Sequence, residues 1–300
     1  MAQARIAVVG AGLMGHGIAQ VFALAGHEVK ITDTVVKNLD TVASRIAANL
    51  RDLGEDESAV ERVQPSVDLT DAVHDADYVV EAVSENLELK KKIFAELERR
   101  TRPDTILASN TSVIPITAIM QDLSRRERAV GTHWWNPPFL VPLVEVIGTQ
   151  WTSPRVIEWT MELHAAAGKT PSHVKKDVPG FIGNRLQHAL WREAISLVEH
   201  GICDAKTVDD VVKASFGRRL AVLGPIENAD QVGTDLTLAI HDVVLPAIEN
   251  RPGPSPYLQD LVANGKLGFK SGEGFQKWSP EQQAALRARV MRHLKAMRDI

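Results

Sequence analysis

The stretch Arg5–Asp33, RIAVVGAGLMGHGIAQVFALAGHEVKITD, decides how the rest of the chain is read. Arg5 to Val9 is a short, mostly apolar run that leads into glycine, the pattern of a buried parallel strand. Gly10-Ala11-Gly12-Leu13-Met14-Gly15 follows, and from His16 to Ala25 apolar residues recur at helical spacing until Gly26. His27 to Asp33 alternates as a second strand and ends on an acid. Each part has a physical task. Gly10 makes the tight turn, Gly12 lets backbone approach a pyrophosphate, and Gly15 lets helix and strand pack closely. Leu13 and Met14 open the helix, whose free N–H groups and positive dipole end face the phosphates. Asp33, roughly 20 residues past the first glycine, is placed to accept from ribose hydroxyls. A glycine triplet alone could be a simple turn, but one set between a strand and a helix and completed by an acid predicts a dinucleotide site. Asp33 would repel a 2′-phosphate, and Thr34 rather than an arginine follows it, so NAD is expected over NADP. His16 is expected to pack beside solvent or cofactor without a chemical role.

Downstream the strand–helix alternation continues. Val35 to Leu53 reads as an amphipathic helix, Gly54 to Ser58 as an acidic loop, and Leu69 to Ala76 as a short helix or turn. Asp77–Val83 is a further buried strand that runs into Ser84–Lys90, a strand-to-helix junction. Thr105–Ala108 is the next strand and ends in Ser109-Asn110-Thr111-Ser112. Arg128–His133 is another. The four small polar residues fit a helix cap or a set of hydrogen-bonding groups at a substrate. Glycine loop, SNTS turn and His133 all fall at strand carboxyl ends, where an α/β sheet binds its ligand.

Gly131–Ile147, GTHWWNPPFLVPLVEVI, carries the most chemistry. Asn136 to Pro138 is expected to turn the chain so that the strand Leu143–Ile147 brings Glu145 beside His133. An acid inside an apolar strand is expensive to bury without a partner. The pair reads either as an imidazole base with its carboxylate or as a core carboxylate and an unrelated histidine. Convergence with the other strand ends favours the base.

Composition narrows the function classes. With 300 residues, 44% hydrophobic and 24% charged, the chain is expected to be an ordinary soluble globular protein of one large or two smaller domains. A net charge of -4 gives no basic footprint for nucleic acid or an anionic membrane. The apolar N-terminal run is too short and too broken for a signal peptide or a span, so a cytoplasmic location is expected. Cys203, the single cysteine, excludes an internal disulfide and a multi-cysteine metal site; it is expected to be a buried small hydrophobe, and no metal is expected.

Ile157 to Ala167 is helical in period and Ser172 to Lys176 is a last strand candidate. Asp177-Val178-Pro179-Gly180 then closes the sheet domain. Beyond it strand signals are scarce. Helices are expected over Phe181–His200, about Ala205–Ser215, about Leu236–Ile248, and from Ser279-Pro280-Glu281 onward. The glycine-rich Gly265–Trp278 reads as a folded-back surface loop more readily than as a phosphate site. The expected architecture is therefore α/β over residues 1–179, with a mostly parallel sheet, followed by an all-α domain over residues 180–300.

These residues resemble the 3-hydroxyacyl-CoA dehydrogenase family over nearly the whole chain. The likeness lies in GxGxMGxGIA at Gly10–Ala19, VVEAVSENLELK at Val79–Lys90, SNTS at Ser109–Ser112, and GTHWWNPP with LVEVI around His133 and Glu145. It continues in KDVPGFIGNRL at Lys176–Leu186 and LGFKSGEGF at Leu267–Phe275. The resemblance implies an NAD-binding Rossmann domain and a helical domain that forms a homodimer. It implies His133 as general base, Glu145 as its partner, and Ser112 and Asn184 holding the substrate oxygen and the imidazole. Cofactor contacts are implied for Gly10, Gly12, Leu13, Met14, Gly15, Asp33, Glu85, Lys90 and Asn110.

Three departures bear on substrate. Acyl-CoA members tend to carry lysines after the second strand; Asp40–Val63 has none here, and Gly54–Glu61 is acidic. Trp134-Trp135 and a second proline follow His133. The turn Phe216–Pro225 carries Arg218 and Arg219, of which Arg219 would suit a substrate carboxylate, the alternative being solvated surface charge. These features resemble relatives that oxidise small carboxylated alcohols, L-gulonate dehydrogenase (lambda-crystallin-like) and a pyridine-carboxylate dehydrogenase. The expected activity is NAD-dependent oxidation of a 3-hydroxy acid or similar carboxylate-bearing alcohol. A 3-hydroxyacyl-CoA dehydrogenase is the alternative, and a non-catalytic, crystallin-like NAD binder the second.

Overall fold

The computed structural model describes residues 3–298. The chain divides into two compact units, one running to Arg185 and resuming at His293, the other spanning Leu186–Arg292.

The first unit alternates β1 (Arg5–Val9), α1 (Leu13–Leu24), β2 (Glu28–Thr32), α2 (Val36–Asp40), α3 (Val42–Leu53), β3 (Val63–Ser66), α4 (Leu69–Val73) and β4 (Tyr78–Glu81). It continues with α5 (Leu87–Arg100), β5 (Ile106–Ser109), α6 (Ile116–Met120), β6 (Ala129–Trp134), β7 (Leu143–Ile147), α7 (Pro154–Ala166) and β8 (Thr170–Val174). The strands form one sheet in the order β3-β2-β1-β4-β5-β6-β7-β8. All neighbours are parallel except the hairpin β6–β7. Strand order reverses between β1 and β4, so a crevice opens at their carboxyl ends. The period of two along each strand feeds two cores. Ile6, Val8, Tyr78, Val80 and Ala108 pack on one face with Phe22 and Trp134, while Ala7, Val79 and Leu107 pack on the other with Phe94 and Ile119. Burial on both faces is why these strands read as unbroken apolar runs.

Two elements differ from expectation. β3, Val-Gln-Pro-Ser, carries no strand signal; it lies at the sheet edge, where a missing N–H at Pro65 leaves no ladder partner unsatisfied. The helix expected over Val35–Leu53 breaks at Thr41 into α2 and α3. The Thr41 hydroxyl bonds back to the Lys37 and Asn38 carbonyls, competing with helical continuation.

The second unit begins inside α8 (Gly183–Glu199) and contains α9 (Ala205–Ala214), α10 (Pro225–Val232), α11 (Thr234–Val244) and α12 (Pro256–Ala263); α13 (Pro280–Ala296) ends in the first unit. The short α10 and α12 went unread because each is barely two turns long and opens on a proline. Gly265–Trp278 does fold back, through bridges of Glu273 to Gly268 and Lys277. From Leu186 to Arg292 only Ser196 and Leu261 are buried, and each keeps 8–9% of its surface exposed. Cys203 is half-buried rather than the expected core residue, because it sits in the turn before α9 in a unit with almost no interior. No helix among the described residues is long and apolar enough to cross a membrane.

Candidate active site

The hairpin β6–β7 sets His133 directly opposite Glu145, as the Asn136–Pro138 turn predicted. Their side chains are almost wholly buried, and Nδ1 of His133 lies 2.8 Å from Oε2 of Glu145. The other carboxylate oxygen accepts the N–H groups of Ile182 and Gly183, at 2.8 and 3.0 Å, where α8 begins. Burial alone would raise the Glu145 pKa, but the bonds from His133, Gly183 and Ile182 hold it below the ordinary carboxylate value. Glu145 is therefore an anion, and Nδ1 carries the proton it accepts. Nε2 is left with a free lone pair.

The walls around the imidazole follow from strand alternation. Trp135 lies on the His133 side, with ring centroids 5.4 Å apart, whereas Trp134 points into the core against Phe22 and His164. Phe181 covers another side at 5.6 Å and holds a left-handed backbone, φ 50°, which only an over-determined turn sustains. A Cβ on Gly183 would stand 2.5 Å from Trp135, so glycine is what lets the start of α8 approach the indole.

The SNTS turn resolves into separate tasks. Ser109 donates to Glu81, and Asn110 Oδ1 accepts the Trp134 N–H at 2.9 Å. The N–H of Ser112 is held by Glu85, and its carbonyl accepts from Asn184 Nδ2 at 2.9 Å. Both ends of Ser112 are thus fixed while its hydroxyl has no partner among the described residues. Lys90, expected near the cofactor, is fully buried, its Nζ 2.7 Å from Glu81 and 3.4 Å from Glu85.

The glycine loop has the form a pyrophosphate requires. Gly10 holds φ +104°, and a Cβ on Gly15 would stand 1.7 Å from the Gly10 carbonyl, so both positions demand glycine. At Gly12 a Cβ would meet nothing, which leaves open room at the N-terminus of α1. Leu13 beside it is largely exposed. Asp33 Oδ2 accepts from Ala11 N–H at 2.8 Å and Asn38 Nδ2 at 3.0 Å, and Oδ1 accepts from Val35 N–H at 2.8 Å. Burial opposes its charge, but these donors and nearby Arg45 keep its pKa low, and Oδ1 retains a lone pair for one ribose hydroxyl. These residues fit NAD. His16 is buried, with Nδ1 against the Gly12 carbonyl at 2.8 Å.

Sequence reading missed three residues. Glu81, an acid that ends an apolar strand, carries much the same signal as Glu145, an acid inside one. Phe181 gave none, since nothing in its type announces φ > 0. Arg45, which donates to the carbonyls of Ala11 and Gly12, reads as an ordinary helix-surface residue. Arg219 lies exposed at the end of a short 3₁₀ turn in the helical unit, and no hydrogen bond or ion pair engages its guanidinium among the described residues. The acidic loop is partly neutralised: Arg51 pairs with Glu57, Lys295 with Asp52, and Arg298 with Glu55.

Residues 5–178 match the family model described as 3-hydroxyacyl-CoA dehydrogenase, NAD binding domain, and residues 180–278 the one described as 3-hydroxyacyl-CoA dehydrogenase, C-terminal domain. The chain is 37% identical over 300 residues to 5-formyl-3-hydroxy-2-methylpyridine 4-carboxylate 5-dehydrogenase of Mesorhizobium japonicum, covering 98% of this chain and 97% of that one. A crystal structure of an enzyme of that activity, described as an NAD+ dependent dismutase, aligns with TM-score 0.92 at 36% identity over 99% of this chain and 98% of its own. Human mitochondrial hydroxyacyl-coenzyme A dehydrogenase is 38% identical over 288 residues, 91% of this chain and 90% of its own. The structure of (S)-3-hydroxybutyryl-CoA dehydrogenase from Ralstonia eutropha aligns with TM-score 0.76 at 33% identity, covering 93% of this chain and all of its own.

Proposed function

Because this chain belongs to the 3-hydroxyacyl-CoA dehydrogenase family of NAD-dependent oxidoreductases, we propose that it oxidises the hydroxyl of a small carboxylate-bearing alcohol, or reduces the keto form, with His133 as general base. The observation that carries this reading is the 2.8 Å contact of His133 Nδ1 with the buried Glu145 carboxylate. It leaves Nε2 free to take the hydroxyl proton. Glu145 then faces an imidazolium at hydrogen-bond distance in a site nearly closed to water, where a charge-assisted bond is strongest. Ser112 offers its unpartnered hydroxyl to the substrate oxygen. Asn184 holds the Ser112 turn from the other side. NAD, when bound, supplies the hydride acceptor.

Substrate size rests on charge and likeness. Acidic residues and the absence of lysine over Asp40–Val63 disfavour nucleotide phosphates, and the higher TM-score belongs to the enzyme acting on a pyridine carboxylate. The formyl group in that enzyme's name, once hydrated, presents an O–H and a C–H on one carbon, so the same base would serve. Arg219 is our candidate for the carboxylate. The likeness to human hydroxyacyl-coenzyme A dehydrogenase favours a CoA thioester instead. Steady-state assays with 3-hydroxybutyryl-CoA against free hydroxy acids and pyridine carboxylates separate the two, and a far higher kcat/KM for the thioester defeats the small-substrate reading. A crystallin-like, non-catalytic role is opposed by the intact pair, and turnover unchanged in His133→Ala would end the mechanism.

We also propose a cytoplasmic homodimer, joined through the helical unit, residues 180–300 in outline, with no nucleic-acid or membrane partner. Support comes from the unit's scarcity of buried residues. On α11 alone Leu236, Ile240 and Val243, spaced i, i+4 and i+7, are 46–75% exposed, an apolar face that a monomer would leave in water. A monomer by analytical ultracentrifugation at micromolar concentration would exclude it.

A further inference from the structure

A half-buried cation lies on the Trp134 side of the hairpin β6–β7, and the chemistry above makes no use of it. Lys169 stands between α7 and β8. Its Nζ donates to the Pro138 carbonyl at 2.6 Å and to the Val141 carbonyl at 2.7 Å. It also lies 5.5 Å from the centre of the Trp134 ring, within reach of the indole's negative face. Burial pushes its pKa down to about 8 with no acid to offset the shift, yet the ammonium form prevails at neutral pH. An ammonium carries three donors on one atom. A single side chain can therefore gather two carbonyls from separate points of a loop, through charge-assisted bonds.

The loop so held joins the strand of His133 to the strand of Glu145. Within it, the N–H groups of Leu140 and Val141 both donate to the Pro137 carbonyl at 3.0 Å. The Pro142 carbonyl accepts the N–H of Thr170, the residue after Lys169, at 2.8 Å. The loop also meets α1. A Cβ on Gly17 would stand 3.1 Å from the Pro138 ring and 3.3 Å from the Phe139 ring, so the loop rests directly on the helix that opens the cofactor site. Lys169 thus grips Pro138, which touches α1, and Val141, which leads into β7. Hydride and proton leave the same substrate group, and misplacement by about 1 Å can cost on the order of 10²-fold. We propose that Lys169 is a positioning residue, which fixes the β6–β7 connection against α1 and so holds the His133–Glu145 hairpin in register with the bound cofactor. This rests on the reading of His133 as general base.

The test sets Lys169→Met, which keeps the stem and removes the donors, beside Lys169→Arg, which keeps charge and donors. A cavity of about 370 Å³, lined by Lys169 with Gln20, Leu53, Phe139 and Met297, leaves room for the larger guanidinium. In the full chain without substrate, amide exchange at Leu140 and Val141 should quicken at least ~10-fold in Lys169→Met and stay near wild type in Lys169→Arg. With the preferred substrate from the assays above, Lys169→Met should lower kcat by roughly 10–100-fold, while KM and NADH affinity by fluorescence stay within about 3-fold. Lys169→Arg should restore kcat to within about 3-fold of wild type. A lowered melting temperature in Lys169→Met with kcat intact would make Lys169 a structural cation only and overturn the proposal. So would a loss of kcat that Lys169→Arg shares in full, or one that tracks NADH affinity. If Lys169→Met does not fold, Lys169→Gln, which keeps an NH2 donor without the charge, takes its place with the same outcomes. Turnover unchanged in His133→Ala would remove the base and the catalytic half of the proposal with it, whereas unchanged amide exchange in Lys169→Met would overturn the clamp whatever His133 does.

Discussion

Replacing Glu145 with glutamine tests the mechanism with little disturbance of shape. Glutamine keeps the volume, and its carbonyl oxygen can still accept the Ile182 and Gly183 N–H groups that now bind Oε1. That choice turns the NH2 toward His133 Nδ1, 2.8 Å away. Two donors cannot face each other, so the ring proton moves to Nε2, the atom that must be free to accept the hydroxyl proton. The variant also lacks the charge opposite the developing imidazolium, a charge-assisted bond of about 1.5–3 kcal/mol. Mis-setting a catalytic histidine's tautomer in this way costs on the order of 10⁴ in a well-studied hydrolase triad. We expect kcat to fall by about 10³–10⁴-fold, roughly 4–5.5 kcal/mol in the barrier. Absorbance of reduced nicotinamide measures the rate, and fluorescence of bound NADH the cofactor affinity, which should not change. Residual turnover should climb with pH as hydroxide replaces the lost base. A loss under about 10-fold, or one that tracks NADH affinity, would refute the reasoning.

Three further outcomes follow from the same geometry. Asp33→Ala removes the acceptor for Ala11, Val35 and Asn38 along with the ribose contact, so NAD affinity should weaken by about 10–100-fold at unchanged kcat; equal affinity by titration would end its ribose role. Gly183→Ala sets a methyl 2.5 Å from Trp135, and overpacking of about 1–3 kcal/mol should lower the melting temperature and kcat together; a variant with wild-type values in both would show that the indole yields freely. His164 is wholly buried, and burial pushes its pKa down to about 4, so it stays neutral in the fold while the unfolded chain takes up a proton. Its folded pKa lies below its unfolded value, hence stability is full above about pH 6.5 and falls as pH drops toward 4, by roughly 3 kcal/mol. Urea unfolding of wild type and His164→Phe should diverge across that window, and parallel curves would dismiss this histidine as the cause.

Much of the first unit is legible in its residues. β1, β2, β4 and β5 are buried on one face or both, so their side chains had to be apolar in the pattern that identifies them. The glycine loop is equally readable, because backbone contact with a phosphate admits no substitute for glycine at positions such as Gly15. Glu145 could be picked out by its cost, an acid in an apolar strand. What escaped were features held by contacts distant in sequence. β3 is a strand only because β2 offers it a ladder, and the Thr41 break goes with the Asn38 carbonyl, which accepts from Arg45 and the Thr41 hydroxyl. The helical unit kept its longer helices legible, but not the short α10 and α12 or its lack of an interior: periodicity shows which side of a helix is apolar, and not what covers it.

By itself, the amino-acid order determined a dinucleotide-binding sheet, its preference for NAD, and the pairing of one histidine with one acid across a proline turn. These depend on local rules, namely strand period, glycine conformation and the expense of a lone buried charge. Tertiary structure alone decided that Ile182 and Gly183 hold the acid where α8 begins, and that Glu85 accepts hydrogen bonds from the SNTS turn. Each is a meeting of segments from 26 to 38 residues apart, as Thr111 with Glu85 and Gly183 with Glu145, and no local propensity encodes which donor will reach which acceptor.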